Sequence, residues 1–148
     1  MNNLNKKQII NLLQIESPFL MLDKIINLTN GKSAIGIKKI TKDEWFYKCH
    51  FLDHPIMPGA LQTEAMLQTV VMIYCHHKKI NAKNCLVNKV TTNYLSSISG
   101  AGKIEIHGEV NNSNNLIIEG KAKIIFKEKK ICHGTFRFIN SGKFTVKA

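Results

Sequence analysis

The sequence predicts an α+β domain in which an antiparallel sheet of five or six strands wraps one long central helix. Two observations carry that prediction. First, Ala60, Leu61, Ala65, Met66, Leu67, Val70, Val71, Met72, Ile73 and Tyr74 make the segment from residue 60 to 74 apolar on nearly all sides. A helix apolar all round is a buried one. Second, the later half of the chain alternates with period two. Ile104, Ile106, Gly108 and Val110 face one way, and Lys103, Glu105, His107 and Glu109 the other. Ile118, Gly120, Ala122, Ile124 and Phe126 repeat the pattern, and so do Cys132, Gly134, Phe136 and Phe138. Strands with one polar face form an antiparallel sheet wet on one side, and its apolar face is buried on the helix.

The remaining elements follow in order. The 148 residues predict one domain, spanning 1–148. Lys6 to Leu13 predicts a short helix with Ile9, Ile10, Leu12 and Leu13 as its apolar side. Phe19 to Leu28 and Ser33 to Ile40 read as strands joined by a turn at Thr29-Asn30-Gly31-Lys32. Trp45 to Tyr47 reads as a short strand leading to His50. The buried helix runs from about Pro58 to His76. Proline suits the first helical position, where its missing N–H would be unpaired anyway. Asn111-Asn112-Ser113-Asn114-Asn115 reads as a hairpin loop.

Composition narrows the function. Hydrophobic content of 44% fits a packed domain. No segment reaches the roughly 18 apolar residues of a membrane span. The N-terminus lacks the apolar stretch of a signal peptide, so a cytoplasmic location is expected. Cys49, Cys75, Cys85 and Cys132 form no C-x-x-C and are expected as reduced thiols. His76 and His77 are adjacent, and His50 and His54 are four apart, but Pro55 argues against a helix there. No metal site and no cofactor are expected. A formal net charge of +11 fits either an acidic partner or a solvated lysine surface. Nucleic acid is not expected, because no aromatic side chains interleave with the basic ones as a stacking platform would require.

The segment from His50 to Gln68 bears the chemistry. Glu64 and Gln68 are four residues apart, on one face of the buried helix. A carboxylate there must be paired, neutralised or used. Histidine stands 64 minus 50, or fourteen, residues upstream. On the residues alone, a structural polar pair and a catalytic acid with its base both stay open.

His50-Phe51-x-x-His54-Pro55-Ile56-Met57-Pro58-Gly59, followed by Leu61-x-x-Glu64-Ala65-Met66-x-Gln68, resembles the signature of the (3R)-hydroxyacyl-acyl-carrier-protein dehydratases, hotdog-fold enzymes of fatty-acid synthesis. Ser17-Pro18-Phe19-Leu20-Met21-Leu22-Asp23 is similar to that family's early strand. The resemblance implies removal of water from a (3R)-hydroxyacyl thioester, leaving the trans-2-enoyl thioester. It implies His50 and Glu64 as the catalytic pair, Gly59 as the amide that holds the thioester oxygen, and Gln68 as the residue that orients the acid. Tyr94 falls where the family carries an aromatic side chain, and either lines the acyl tunnel or packs in the core. The implied partner is acyl carrier protein; from their position just past the buried helix, Lys78, Lys79 and Lys83 are the candidate contacts. The implied assembly is a homodimer or higher oligomer, with the two catalytic groups of one site supplied by different subunits.

The chain also departs from the pattern. Cys49 replaces a glycine, Leu52-Asp53 replaces Pro-Gly, and Tyr94-Leu95-Ser96-Ser97 lacks a basic pair used at that edge. Two alternatives therefore stay open: a hotdog thioesterase, and a catalytically weak subunit that binds acyl carriers.

Overall fold

The computed structural model describes residues 2–143. Its elements are β1 (Asn2–Leu4), α1 (Lys6–Leu13), β2 (Lys24–Thr29), β3 (Ser33–Ile40), α2 (Gly59–Lys78), β4 (Cys85–Tyr94), β5 (Gly102–Ser113), β6 (Ile117–Phe126) and β7 (Lys129–Asn140). One antiparallel sheet has the order β1-β2-β3-β5-β6-β7-β4. It curls around α2, as the alternation predicts. No described helix is long and apolar enough to cross a membrane.

Among the described residues seven strands form where five or six are expected. The additions are β1, too short to show a period, and β4. Trp45–Lys48 is a 3-10 turn and not a strand. Phe46 and Tyr47 are both buried there, and consecutive residues of a strand cannot face the same core. The expected strand from Phe19 starts only at Lys24, after the consecutive buried residues Leu20, Met21 and Leu22. The hairpin turn lies at the end of the asparagine run, where Asn114 Oδ1 accepts the N–H groups of Leu116 and Ile117, each at 2.8 Å.

Helix α1 begins with a capping box: Asn5 and Gln8 each accept the other's backbone N–H. It buries Ile9 and Leu13. Helix α2 starts one residue later than expected, with Pro58 as its N-cap. Residues 65–75 are all buried, including Met66 and Met72.

Small residues let α2 approach the sheet. Ala34, Gly108, Ala122 and Gly134 form a registered row across β3, β5, β6 and β7. A Cβ at Gly108 would lie 2.8 Å from Thr69 Cγ2, and one at Gly120 would lie 2.5 Å from Val70 Cγ1. Strand β4 is treated differently. It pairs only with β7, and Leu86, Val87, Val90 and Tyr94 remain exposed. Val87 and Val90 are registered with the buried Phe138 and Phe136, so they point to the concave side without reaching α2's cover.

Candidate active site

Gln68 is 1% exposed and uses both ends of its amide. Its Oε1 accepts the N–H of Met21 at 2.8 Å, while Nε2 donates to the Phe19 carbonyl and to Glu64 Oε1, each at 3.0 Å. Glu64 is thereby tied, through Gln68, to the irregular chain before β2. Burial pushes the Glu64 carboxyl pKa up, and the hydrogen bond from Gln68 pulls it only partly back. Glu64 thus holds its proton to higher pH than an ordinary carboxyl.

Glu64 stands at one end of a groove of about 270 Å³. The groove passes Leu67 and Val71, with Ile15 and Phe138 in its walls, and reaches Ala82 and Cys85. Its lining is apolar apart from Glu64 and Gln68 at one end and Gln14 and Lys83. A larger cleft, about 700 Å³, opens at the far end of α2 beside His76 and His77; it is lined by Lys79, a candidate carrier contact, and by none of His50, Gly59, Glu64, Gln68 or Tyr94.

His50 lies in the loop after the 3-10 turn, stacked on Phe51 with ring centroids 4.0 Å apart. Its Nδ1 is 2.9 Å from the Ile56 carbonyl oxygen. A carbonyl only accepts, so Nδ1 carries the proton and Nε2 of the neutral ring is left as the base. The loop itself is held by Met57, whose N–H donates to the Ile98 carbonyl at 2.9 Å. His54 is exposed, and its backbone N–H closes a turn on the Phe51 carbonyl. Asp53 is exposed as well.

Gly59 opens α2. The Pro58 carbonyl accepts from Leu61 and Gln62, and no acceptor among the described residues meets the N–H groups of Gly59 or Ala60. Free N–H groups at a helix N-terminus carry partial positive charge. The Tyr94 ring covers this point so closely that a Cβ at Gly59 would lie 2.9 Å from Tyr94 Cε1. Its hydroxyl donates to the Gly59 carbonyl at 3.0 Å and lies 2.6 Å from Thr63 Oγ1. Tyr94 therefore packs over the helix start and does not line the Glu64 groove.

The structure brings Glu64 to Gln68 and Tyr94 to Gly59. It does not bring His50 to Glu64: no hydrogen bond joins them, and His50 is absent from the lining of the Glu64 groove. Sequence reasoning missed the Ile56 and Phe19 carbonyls and the Met21 amide that orient the two side chains. Backbone groups leave no residue-type signal, although the Ser17–Asp23 resemblance marked one of the segments. Among the described residues, no group of three or more His, Cys, Asp or Glu side chains is placed to hold a metal.

Residues 14–148 match the FabA-like domain family. The chain is 33% identical over 136 residues to a 3-hydroxyacyl-[acyl-carrier-protein] dehydratase of Syntrophomonas wolfei, covering 91% of this chain and 94% of that one. It is 32% identical over 147 residues to the enzyme of the same name from Clostridioides difficile, covering 91% and 96%. Among solved structures, the dehydratase heterocomplex ApeI:P of Xenorhabdus doucetiae superposes with a TM-score of 0.74 at 13% identity, covering 91% of each chain. A hypothetical thioesterase of Streptococcus pneumoniae solved with coenzyme A superposes at 0.60 and 13% identity, covering 78% and 85%. At that identity, both structures speak for the fold alone. Hotdog architecture, the family match and full-length relatives together mean that this chain belongs to the FabA-like family, on the branch of the 3-hydroxyacyl-[acyl-carrier-protein] dehydratases.

Proposed function

We propose that this protein dehydrates a (3R)-hydroxyacyl group carried on acyl carrier protein. The observation that carries the reading is a carboxyl oriented by Gln68 at the head of an apolar groove, its pKa raised by burial. In the reaction, His50 Nε2 removes a proton from C2 of the thioester. The Gly59 N–H receives the developing enolate oxygen, a contact worth about 3 kcal/mol in comparable sites. Glu64 gives its proton to the C3 hydroxyl, which leaves as water while the C2–C3 double bond forms. A carboxyl that favours its neutral form suits an acid better than a base that activates water, which speaks against the hydrolase alternative.

The site draws its base and its acid from two copies of the chain, working in the cytoplasm as a homodimer or a larger assembly of dimers. Two features support this: His50 does not reach the groove of its own Glu64, and the concave side of β4 leaves apolar residues uncovered. The basic surface suits an acidic carrier. The deciding experiment incubates the protein with 3-hydroxyacyl carrier thioesters of several lengths and follows both products by mass. Enoyl thioester is expected. Free acid alone would mean a thioesterase, and no turnover of any substrate would mean a binding subunit.

A further inference from the structure

The far end of the Glu64 groove holds chemistry that the proposed dehydration does not use. Cys75, in the last buried turns of α2, and Cys85, the first residue of β4, place their sulfur atoms 4.0 Å apart. Cys75 is buried, while Cys85 is half-buried and forms part of the groove wall beside Ala82. The last residues of α2, a connection through Lys79, Ile80 and Asn81, and the 3-10 turn Ala82–Asn84 separate the two in the chain. We propose that Cys75 and Cys85 are a redox-modification site, and that the disulfide they form narrows the acyl groove at the end opposite Glu64.

The two sulfurs are unequal in a way that sets the order of events. The two thiols share an S–H···S contact in which either can donate. That bond lowers the pKa of Cys85, while the same bond and burial raise that of Cys75. Cys85 is thus both the more accessible sulfur and the better attacking thiolate. With a small disulfide such as oxidised glutathione as oxidant, Cys85 attacks one of its sulfurs and expels one glutathione thiolate. Cys75 then attacks Cys85, loses its proton, and expels the second glutathione. Both thiol hydrogens end on glutathione, and the protein loses two electrons. Cys132 offers an internal contrast: it is buried, and burial pushes its thiol up to about 11. Cys49 is exposed and has no thiol beside it among the described residues.

Closing the bond must bring the sulfurs from 4.0 Å to about 2.05 Å, the length of a disulfide. Cys85 belongs to the β4 side of the groove and Val71, four residues before Cys75, to the α2 side, so drawing β4 onto α2 narrows the groove at Cys85. Acyl chains too short to reach Cys85 keep their place, and longer ones lose theirs. The formation of the bond stands independently of the proposed reaction, whereas its effect on substrate length rests on it.

The test uses the full-length protein equilibrated in glutathione buffers of increasing oxidised fraction, quenched in acid, alkylated and weighed. The expected product has two alkylatable thiols fewer and one cross-linked peptide pairing Cys75 with Cys85, reversed by dithiothreitol. Turnover of a long-chain relative to a short-chain 3-hydroxyacyl thioester should fall by at least about tenfold in the oxidised form, the scale on which a pocket rejects a poorly fitting methylene. Cys75→Ala should instead trap a glutathione adduct on Cys85. Four alkylated cysteines at every buffer ratio, a stable adduct on wild-type Cys85, a bond to Cys49, or an unchanged ratio of long to short turnover would each overturn the proposal. Reduced protein that makes no enoyl product would overturn the dehydratase reading instead, and the mass measurement of the bond would stand apart from it.

Discussion

Strands β4 and β6 are both ten residues long, and both pair along their whole length with β7. Strand β6 alternates: Ile118, Gly120, Ala122, Ile124 and Phe126 are buried, and the residues between them are more open. Strand β4 shows no alternation, and its valines stand open on the concave side. The difference lies in what covers them. Helix α2 lies on β5 and β6, where glycines let it come close, and it meets β4 only near that strand's two ends, at Cys85 and at Thr92 and Tyr94. One flank of β7 is therefore finished by this chain and the other is not, and the unfinished flank is the one beside Glu64. An exposed apolar edge strand is a liability unless something is meant to cover it.

The largest expected effects test whether that open flank is where a site is completed. His50→Ala and Glu64→Ala should each lower dehydration by roughly 100-fold or more, the usual scale for acid–base groups. Both should keep the wild-type circular dichroism. Mixing the two inactive proteins should restore part of the activity, because some sites of the mixed dimer regain both groups. Full activity in either single variant would refute the mechanism, and no recovery after proven subunit exchange would assign the whole site to one chain.

On the closed flank, Gly120→Ala places a Cβ 2.5 Å from Val70 Cγ1 and 2.6 Å from the Glu109 carbonyl oxygen. Overpacking of this kind costs about 1–3 kcal/mol. Thermal unfolding should show a clear loss of stability, with subunit affinity much less affected. Val90→Lys on the open flank should do the opposite. Sedimentation should show the 16.7 kDa monomer accumulating while the far-UV spectrum stays native. If both variants behaved alike, the contrast between the two strands would collapse.

A subtler test reads Glu64 through stability. Its folded pKa is raised by burial, so the unfolded chain gives up this proton first as pH rises. The carboxyl's contribution is fully present below its ordinary value and is lost as pH climbs through the raised one. Glu64→Gln keeps an acceptor for Gln68 and removes the charge. It should match wild type below about pH 4 and melt higher than wild type at neutral and alkaline pH. Equal melting curves at all pH values would mean that Glu64 is not desolvated in the folded enzyme.

The smallest effect concerns the carrier. Reversing Lys78, Lys79 and Lys83 to Glu should raise KM for carrier-bound substrate and leave kcat unchanged. Added salt should mimic the change, since exposed charges are screened over about 8–10 Å at physiological ionic strength. Lys83 borders the groove and should matter most of the three. An unchanged KM would move docking elsewhere, with Lys127, Lys129 and Lys130 next to examine.

The sequence by itself determined what periodicity and residue type can carry. The all-round apolar segment specified a buried helix, three alternating runs specified β5, β6 and β7, and the spacing from His50 to Gln68 marked the site. These signals are local, and burial within the chain reinforces them. Tertiary structure alone decided the rest. Strand β4 left no alternation to read, because the cover for its concave side does not come from its own α2. Trp45–Lys48 coiled into a turn because Phe46 and Tyr47 both had to reach the core. The tautomer of His50 and the aim of Glu64 depend on backbone groups of Ile56, Phe19 and Met21, and any residue type supplies a carbonyl or an amide. The meeting of Cys75 with Cys85 likewise waited on β4 reaching the end of α2, a placement that no spacing rule encodes.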